Sequence, residues 1–302
     1  MSWDLPAGIR WARRASCVSI CGAIAVCGVS SMEAGTRSDG VTTQETLVWS
    51  DEFTATAAQS APNPANWTYD TGSGGWGNKE LEIYCSYASS TAPCDPKKPN
   101  AYVGTDGYLH IVARHPAPGT YTSARMKSQG RQGFQYGRIE ARIKMPEGQG
   151  FWPAFWMLGN NIVTVDWPAC GEMDIMESIG SKPSTNYGSI HGTGFTGTKI
   201  GTAYELPSGA RFADDFHKFG ILWSPGLIKY YIDSPANVYA TYTPASLPKG
   251  AVWPFDDSKF FFILNLAVGG SWPGSPDATT VFPQEMLVDY VRVYAESASG
   301  PR

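Results

Sequence analysis

The chain has 302 residues and a formal net charge of −4, with 17% charged and 42% hydrophobic residues. That is a globular composition, long enough for one large domain or two small ones. Its 23 Lys and Arg are scattered rather than clustered, which argues against a nucleic-acid partner.

The first element is an export signal. Arg10, Arg13 and Arg14 precede the uncharged stretch Ala15 to Val29, and the small residues Ser30, Ser31 and Ala34 follow. This order is that of a signal peptide over 1–34, and the apolar stretch is short for a membrane span. The expected location is secreted or periplasmic. Ile20 and Val26 are poor residues ahead of a lipid-bearing Cys21 or Cys27. Residues 35–44 are small and polar and read as a linker. One domain over 45–295 follows, without an internal repeat or a change of composition, and 296–302 reads as a flexible tail.

Within the domain, aromatic and β-branched runs broken by Gly and Pro predict strands. "YVGTDGYLHIVA" places two such runs around Asp106-Gly107, a hairpin signal. "GRIEARIKM" (137–145) alternates strictly: Ile139, Ala141, Ile143 and Met145 face a core, and Arg138, Glu140, Arg142 and Lys144 face the other way. "FHKFGILWS", "LIKYYID", "FFFILNLAV" and "LVDYVRVY" add strands, and no stretch reads as a long amphipathic helix. The fold class is all-β, two antiparallel sheets packed face to face. Of six cysteines, Cys17, Cys21 and Cys27 fall in the signal. Export favours disulfides, and Cys85 and Cys94 close the short loop "CSYASSTAPC", so a bridge is expected there. Cys170 is left free and buried.

The chemistry concentrates in "GEMDIMES" (171–178). On a helix its three acids would point in three directions. On a strand, Glu172 and Asp174 share one face, and Glu177 misses it by one residue. One β-bulge within 175–177 returns Glu177 to that face and sends Met173, Ile175 or Met176 to the core. Three adjacent carboxylates raise one another's pKa. Glycoside hydrolysis and a calcium site both tolerate that cost; a solvated strand face is the plainer alternative. Trp152, Phe155 and Trp156 in "GQGFWPAFWML" and Trp167 in "DWPACGE" lie just upstream, as stacking surfaces for sugar rings or as core. His191 in "GSIHG" lies one strand later, where antiparallel pairing brings it to the acids.

"YGRIEARIKMPEGQGFWPAFWMLG", the E-x-D-x-x-E of "GEMDIMES", "GSIHG", "NLAVGGSWPG" and "VDYVRVY" together resemble glycoside hydrolase family 16, in its bacterial laminarinase-like endo-β-1,3-glucanase branch. The resemblance runs over about residues 47 to 294. It implies a β-jelly-roll sandwich with a concave cleft and retaining hydrolysis of a β-glucan without a catalytic cofactor. Carried over, Glu172 is the nucleophile, Glu177 the general acid/base, and Asp174 holds the geometry between them. The resemblance also implies substrate contacts at Asn78, Glu80, Arg125, Trp152, Trp156, His191, Asn265 and Trp272. A structural calcium away from the cleft would use Glu52, Gly107 and Asp289. The shorter E-x-D-x-E belongs to lichenase-like relatives; the longer form is shared with galactan hydrolases, whose clefts often carry extra basic residues. Mixed-linkage glucan, a galactan, transglycosylation and non-catalytic glucan binding are the competing readings. Binding alone does not need both Glu172 and Glu177. A monomer is expected.

Overall fold

The alternating runs do form strands. In a computed structural model of the chain, residues 34–36, 42–197 and 200–296 are described. The expected export signal, apart from Ala34, and the tail beyond Glu296 lie outside them. In chain order the strands are β1 (Ala34–Thr36), β2 (Thr42–Asp51), β3 (Gln59–Ser60), β4 (Thr68–Asp70), β5 (Glu82–Tyr84), β6 (Ala101–Gly104), β7 (Leu109–Ala117), β8 (Thr120–Ser123), β9 (Arg125–Lys127) and β10 (Gly137–Lys144). There follow β11 (Phe151–Gly159), β12 (Glu172–Glu177), β13 (Thr185–His191), β14 (Gly201–Glu205), β15 (His217–Ser224), β16 (Leu227–Ile232), β17 (Val238–Tyr242), β18 (Phe260–Val268) and β19 (Gln284–Glu296). The one α-helix among the described residues is the single turn Ile162–Val165. No helix among them is long and apolar enough to cross a membrane.

Two sheets form a β-jelly-roll sandwich. The seven-stranded sheet runs β14-β13-β12-β11-β18-β9-β4, and the twelve-stranded sheet centres on β17-β16-β15-β10-β19-β7-β6-β3. Pairing is antiparallel except for β5 with β8, which is parallel. The Asp106-Gly107 hairpin joins β6 to β7, with the Gly107 N–H donating to the Gly104 carbonyl at 3.1 Å and Gly107 at φ +85°. Phe260, Phe262, Leu264, Leu266 and Val268 of β18 enter the main core between the sheets. On its other face, Phe261 and Ile263 make a second apolar cluster with Leu158 and the free, buried Cys170. Cys85 and Cys94 form the expected disulfide.

Two sequence expectations change. The span read as a linker, 35–44, overlaps β1 and the start of β2, where Thr42–Gln44 pairs with Ala34–Thr36. Small polar side chains hide this because the pairing is made by backbone groups. The polar side of β10 is also not a solvent face: Arg138 and Glu140 are each only 2% exposed. β10 lies mid-sheet between β15 and β19, and aromatic residues of neighbouring strands cover it. Tyr231 and Tyr290 donate to Glu140 at 2.5 and 3.2 Å, Arg138 binds Glu140 and Glu45 at 2.6 Å each, and Tyr294 lies under the Arg138 guanidinium.

Candidate active site

The bulge sits where the odd offset of Glu177 requires it. On β11, Phe155 faces Met176 and Trp156 faces Asp174, so Ile175 has no partner. On β13 the register likewise shifts between Asp174 and Glu177. Met173, Ile175 and Met176 are buried. Glu172, Asp174 and Glu177 stand opposite His191, Ser189 and Tyr187 of β13.

Each acid has its own partners. The Trp167 indole N–H donates to Glu172 at 2.7 Å, and the Trp152 indole N–H donates to Glu177 at 3.0 Å. Asp174, almost fully buried, accepts from the Ser189 hydroxyl at 2.8 Å and pairs with His191 Nε2 at 2.9 Å. His191 Nε2 also lies 3.9 Å from Glu172. The ligand atoms of Glu172, Asp174 and His191 lie within 4.8 Å of one another. The ion pair between His191 and Asp174 accounts for their closeness.

Burial and neighbouring charge raise both glutamates. Burial, then the Asp174 charge, pushes Glu172 up to about 8, against the His191 charge and the Trp167 N–H. Glu177 is raised well above its ordinary value by burial and by the charges of Asp174 and Glu172. Burial works against protonated His191, but its hydrogen bond to Asp174 and the surrounding carboxylate charges outweigh it and hold the imidazole up to about 9. Both glutamates are therefore raised, and their charges are coupled through Asp174 and His191. Removing the cation should raise Glu172 further. His191→Gln is expected to move the acidic limb of the kcat/KM profile up by about one pH unit, a tenfold loss below that limb. An unmoved limb in a pH–rate series would show that His191 does not set the charge of Glu172.

The aromatic wall surrounds these acids. Trp152 meets Trp272 edge-on at 5.3 Å, and Tyr187 meets Trp272 at 5.0 Å. Trp167 is 51% exposed beside Glu172, and Trp272 is 37% exposed. Trp156 donates its indole N–H to Asn265 at 2.7 Å and carries the Arg125 guanidinium 4.7 Å above its ring. Trp76, which the sequence reading missed, lies 5.3 Å from the same guanidinium. Asp70 pairs with both Arg125 and Lys127.

The expected sugar ligands divide. Asn78 is exposed. Glu80 is 8% exposed, and its two carboxylate oxygens accept from Asn78 and Tyr84, each at 2.9 Å. Asn265 is 6% exposed, accepting from Trp156 and donating to the Tyr84 hydroxyl at 3.3 Å. Tyr84 and Ser189 were not foreseen. Ser189 had a signal, since it lies two residues from His191 and so shares its strand face.

Of the expected calcium ligands, Asp289 lies in β19 of the other sheet, Glu52 just follows β2, and Gly107 is in the turn between β6 and β7. Register brings them near one another: Val288 pairs with Leu109 and Val291 with Asp51. Arg292, however, takes both carboxylate oxygens of Glu52, at 2.9 and 2.8 Å, and Arg142 takes Asp289 Oδ2 at 2.7 Å. The Glu52 side chain is thus not a free ligand. What remains for a hard cation is Asp289 Oδ1 and backbone carbonyls, donors of the type calcium accepts.

Two glutamates with raised proton affinities, separated by a buried aspartate and walled by indole rings, suit cleavage of a sugar chain, and the class they define is the glycoside hydrolases. Comparison with known proteins supplies the family: residues 80–292 match the glycosyl hydrolases family 16, and the chain belongs to it. It is 39% identical over 279 residues to a beta-glucanase of Rhodothermus marinus, covering 87% of this chain and 90% of that one. Among solved structures, the endo-beta-1,3-glucanase of Pyrococcus furiosus matches with a TM-score of 0.75 and 46% identity, over 84% of this chain and 96% of that one. The laminarinase catalytic domain of Thermotoga maritima matches at 0.73 and 44%, over 84% and 99%.

Proposed function

We propose that this glycoside hydrolase is an exported endo-β-1,3-glucanase, cleaving laminarin-type glucan with retention of anomeric configuration. The observation that carries this reading is the bulge at Ile175, which sets Glu177 on the face of Glu172 and Asp174. The named activities of the relatives support the substrate.

The chemistry is a double displacement. Glu177, protonated, gives its proton to the glycosidic oxygen as Glu172 attacks the anomeric carbon. The leaving sugar departs with that proton, and a glycosyl–Glu172 ester remains. Glu177, now ionised, takes a proton from water, the hydroxide carbon–oxygen bond forms, and Glu172 leaves as carboxylate. Asp174 is held by Ser189 and His191 and keeps the pair in register.

Product analysis on laminarin, lichenan, agarose and carrageenan tests the substrate. Reducing ends from laminarin above all, with β-anomer appearing first by NMR, is the expected result; no product from either β-glucan ends the glucanase reading, and early α-anomer ends retention. A monomer with a structural calcium near Asp289 belongs to the same proposal. EDTA is expected to lower Tm by several degrees, and added calcium to restore it, with kcat unchanged. An identical melting curve with and without EDTA removes the ion.

A further inference from the structure

Trp272 reaches the acids from outside the sheets. β18 ends at Val268, and the ring is carried on the turn that follows. No strand register fixes a ring on a turn, so its place depends on what holds that turn. Two other loops seat it. The Ser271 N–H donates to the Asn78 carbonyl at 2.8 Å, and the Gly269 N–H donates to the Gly150 carbonyl at 2.7 Å. Within the turn, the Gly274 N–H donates to the Gly270 carbonyl at 3.1 Å.

Gln149 closes the arrangement. Its side-chain amide donates to the Pro273 carbonyl at 2.7 Å and to the Ser275 carbonyl at 3.0 Å, so both N–H groups of one amide hold the backbone just after Trp272. The Thr280 hydroxyl donates to the Gln149 carbonyl at 2.8 Å, which ties Gln149 to the far end of the same segment. Gly150 lies at φ +89°, and a Cβ there would sit 2.5 Å from the Pro276 nitrogen, so only a glycine lets the two chains approach this closely. β11 begins at Phe151, so the clamp stands on the strand that carries Trp152.

The clamp serves the wall around Glu177. Trp272 lies edge-on to Trp152, whose indole N–H bonds Glu177, at 5.3 Å, and edge-on to Tyr187, which stands opposite Glu177 on β13, at 5.0 Å. A Cβ at Gly270 would lie 3.6 Å from the Trp152 ring, so the start of the turn rests on that ring. Trp152 is fixed by its own strand, paired with Ala267 of β18. Trp272 has no such strand, and at 37% exposure it keeps ring surface for a sugar.

We propose that Gln149 is a positioning residue: by holding the 270–276 turn it fixes Trp272 against Trp152 and Tyr187, and so sets the affinity for the glucan beside Glu177. This rests on the glucanase reading of the cleft and deepens it. A sugar stacked on Trp272 is held alike in the ground and transition states, so loosening the ring changes KM and leaves kcat.

Gln149→Met keeps the length of the side chain and removes both donors. On laminarin it is expected to raise KM about fivefold, with kcat within about twofold and both pH limbs in place. Calorimetric binding of laminarihexaose to the Glu172→Gln enzyme should weaken by the same factor when Gln149→Met is added. In a Trp272→Ala background Gln149→Met should cost nothing further, because the clamp then holds no ring. An unchanged KM, a lower Tm as the sole effect, a further loss in the Trp272→Ala background, or a moved pH limb each overturn the proposal. Wild-type inactivity on laminarin would instead defeat the functional reading on which it rests. Should Gln149→Met not fold, Gln149→Glu decides by the same comparisons, since at neutral pH its carboxylate keeps the shape and cannot donate to a carbonyl.

Discussion

Glu172→Gln is expected to be inactive on laminarin, with a loss in kcat on the order of 10⁴-fold or more, because an amide cannot form the glycosyl ester. Folding should be preserved, since Gln keeps the shape and still accepts from the Trp167 indole N–H. Glu177→Gln should behave differently. Loss of the proton donor costs about 10²- to 10⁴-fold on the polysaccharide. On an aryl β-glucoside, whose phenolate leaves without help, the first step should survive and the second should fail for want of a base. The glycosyl-enzyme then accumulates and is visible by mass spectrometry. With Glu177→Ala, added azide should restore turnover and yield the β-glycosyl azide. Equal losses on both substrates would refute the division of roles. The pH profile adds a check of sign: Glu172 must be ionised and Glu177 protonated, both are raised, and so both limbs lie above the usual carboxylate range.

The second large effect is on stability and lies far from the cleft. Glu140→Ala removes the acceptor shared by Arg138, Tyr231 and Tyr290 on the outer face of the twelve-stranded sheet. Arg138 keeps its ion pair with Glu45 but loses the partner beneath it. Breaking a buried pair from one side costs about 3–5 kcal/mol. For a domain of this size that is a drop in Tm on the order of 10 °C. The double replacement Arg138→Met with Glu140→Leu should recover much of the loss, because it leaves no guanidinium buried beside a missing carboxylate, and the Glu45 side chain is 18% exposed. At 25 °C the Glu140→Ala enzyme should keep its kcat. A melting temperature within about 2 °C of wild type would show that the network contributes little.

The acidic triplet shows how far a single strand can be read. The period of two is a property of any extended chain, so an acid at an odd offset announces a bulge before any partner strand is known. The hairpin at Asp106-Gly107 is legible for the same kind of reason, since local backbone preference decides it. The Cys85–Cys94 bridge was legible from a short loop in a chain read as exported.

Glu80 and Asn265 mark the limit. Their type and motif suggested sugar contacts, but Tyr84, Asn78 and Trp156 occupy their polar atoms. Glu52 suggested a cation ligand, but Arg292, 240 residues away in sequence, takes both its oxygens. Arg138 and Glu140 suggested a solvated face, and tyrosines from β16 and β19 cover it. By itself the sequence determined what is local: strand period, turns, the bulge, the short disulfide loop and the chemical types gathered near Glu172. Which polar groups stay available to a substrate or an ion was decided only by the tertiary structure, because a hydrogen bond is spent on whichever partner the sheet register brings within about 3 Å.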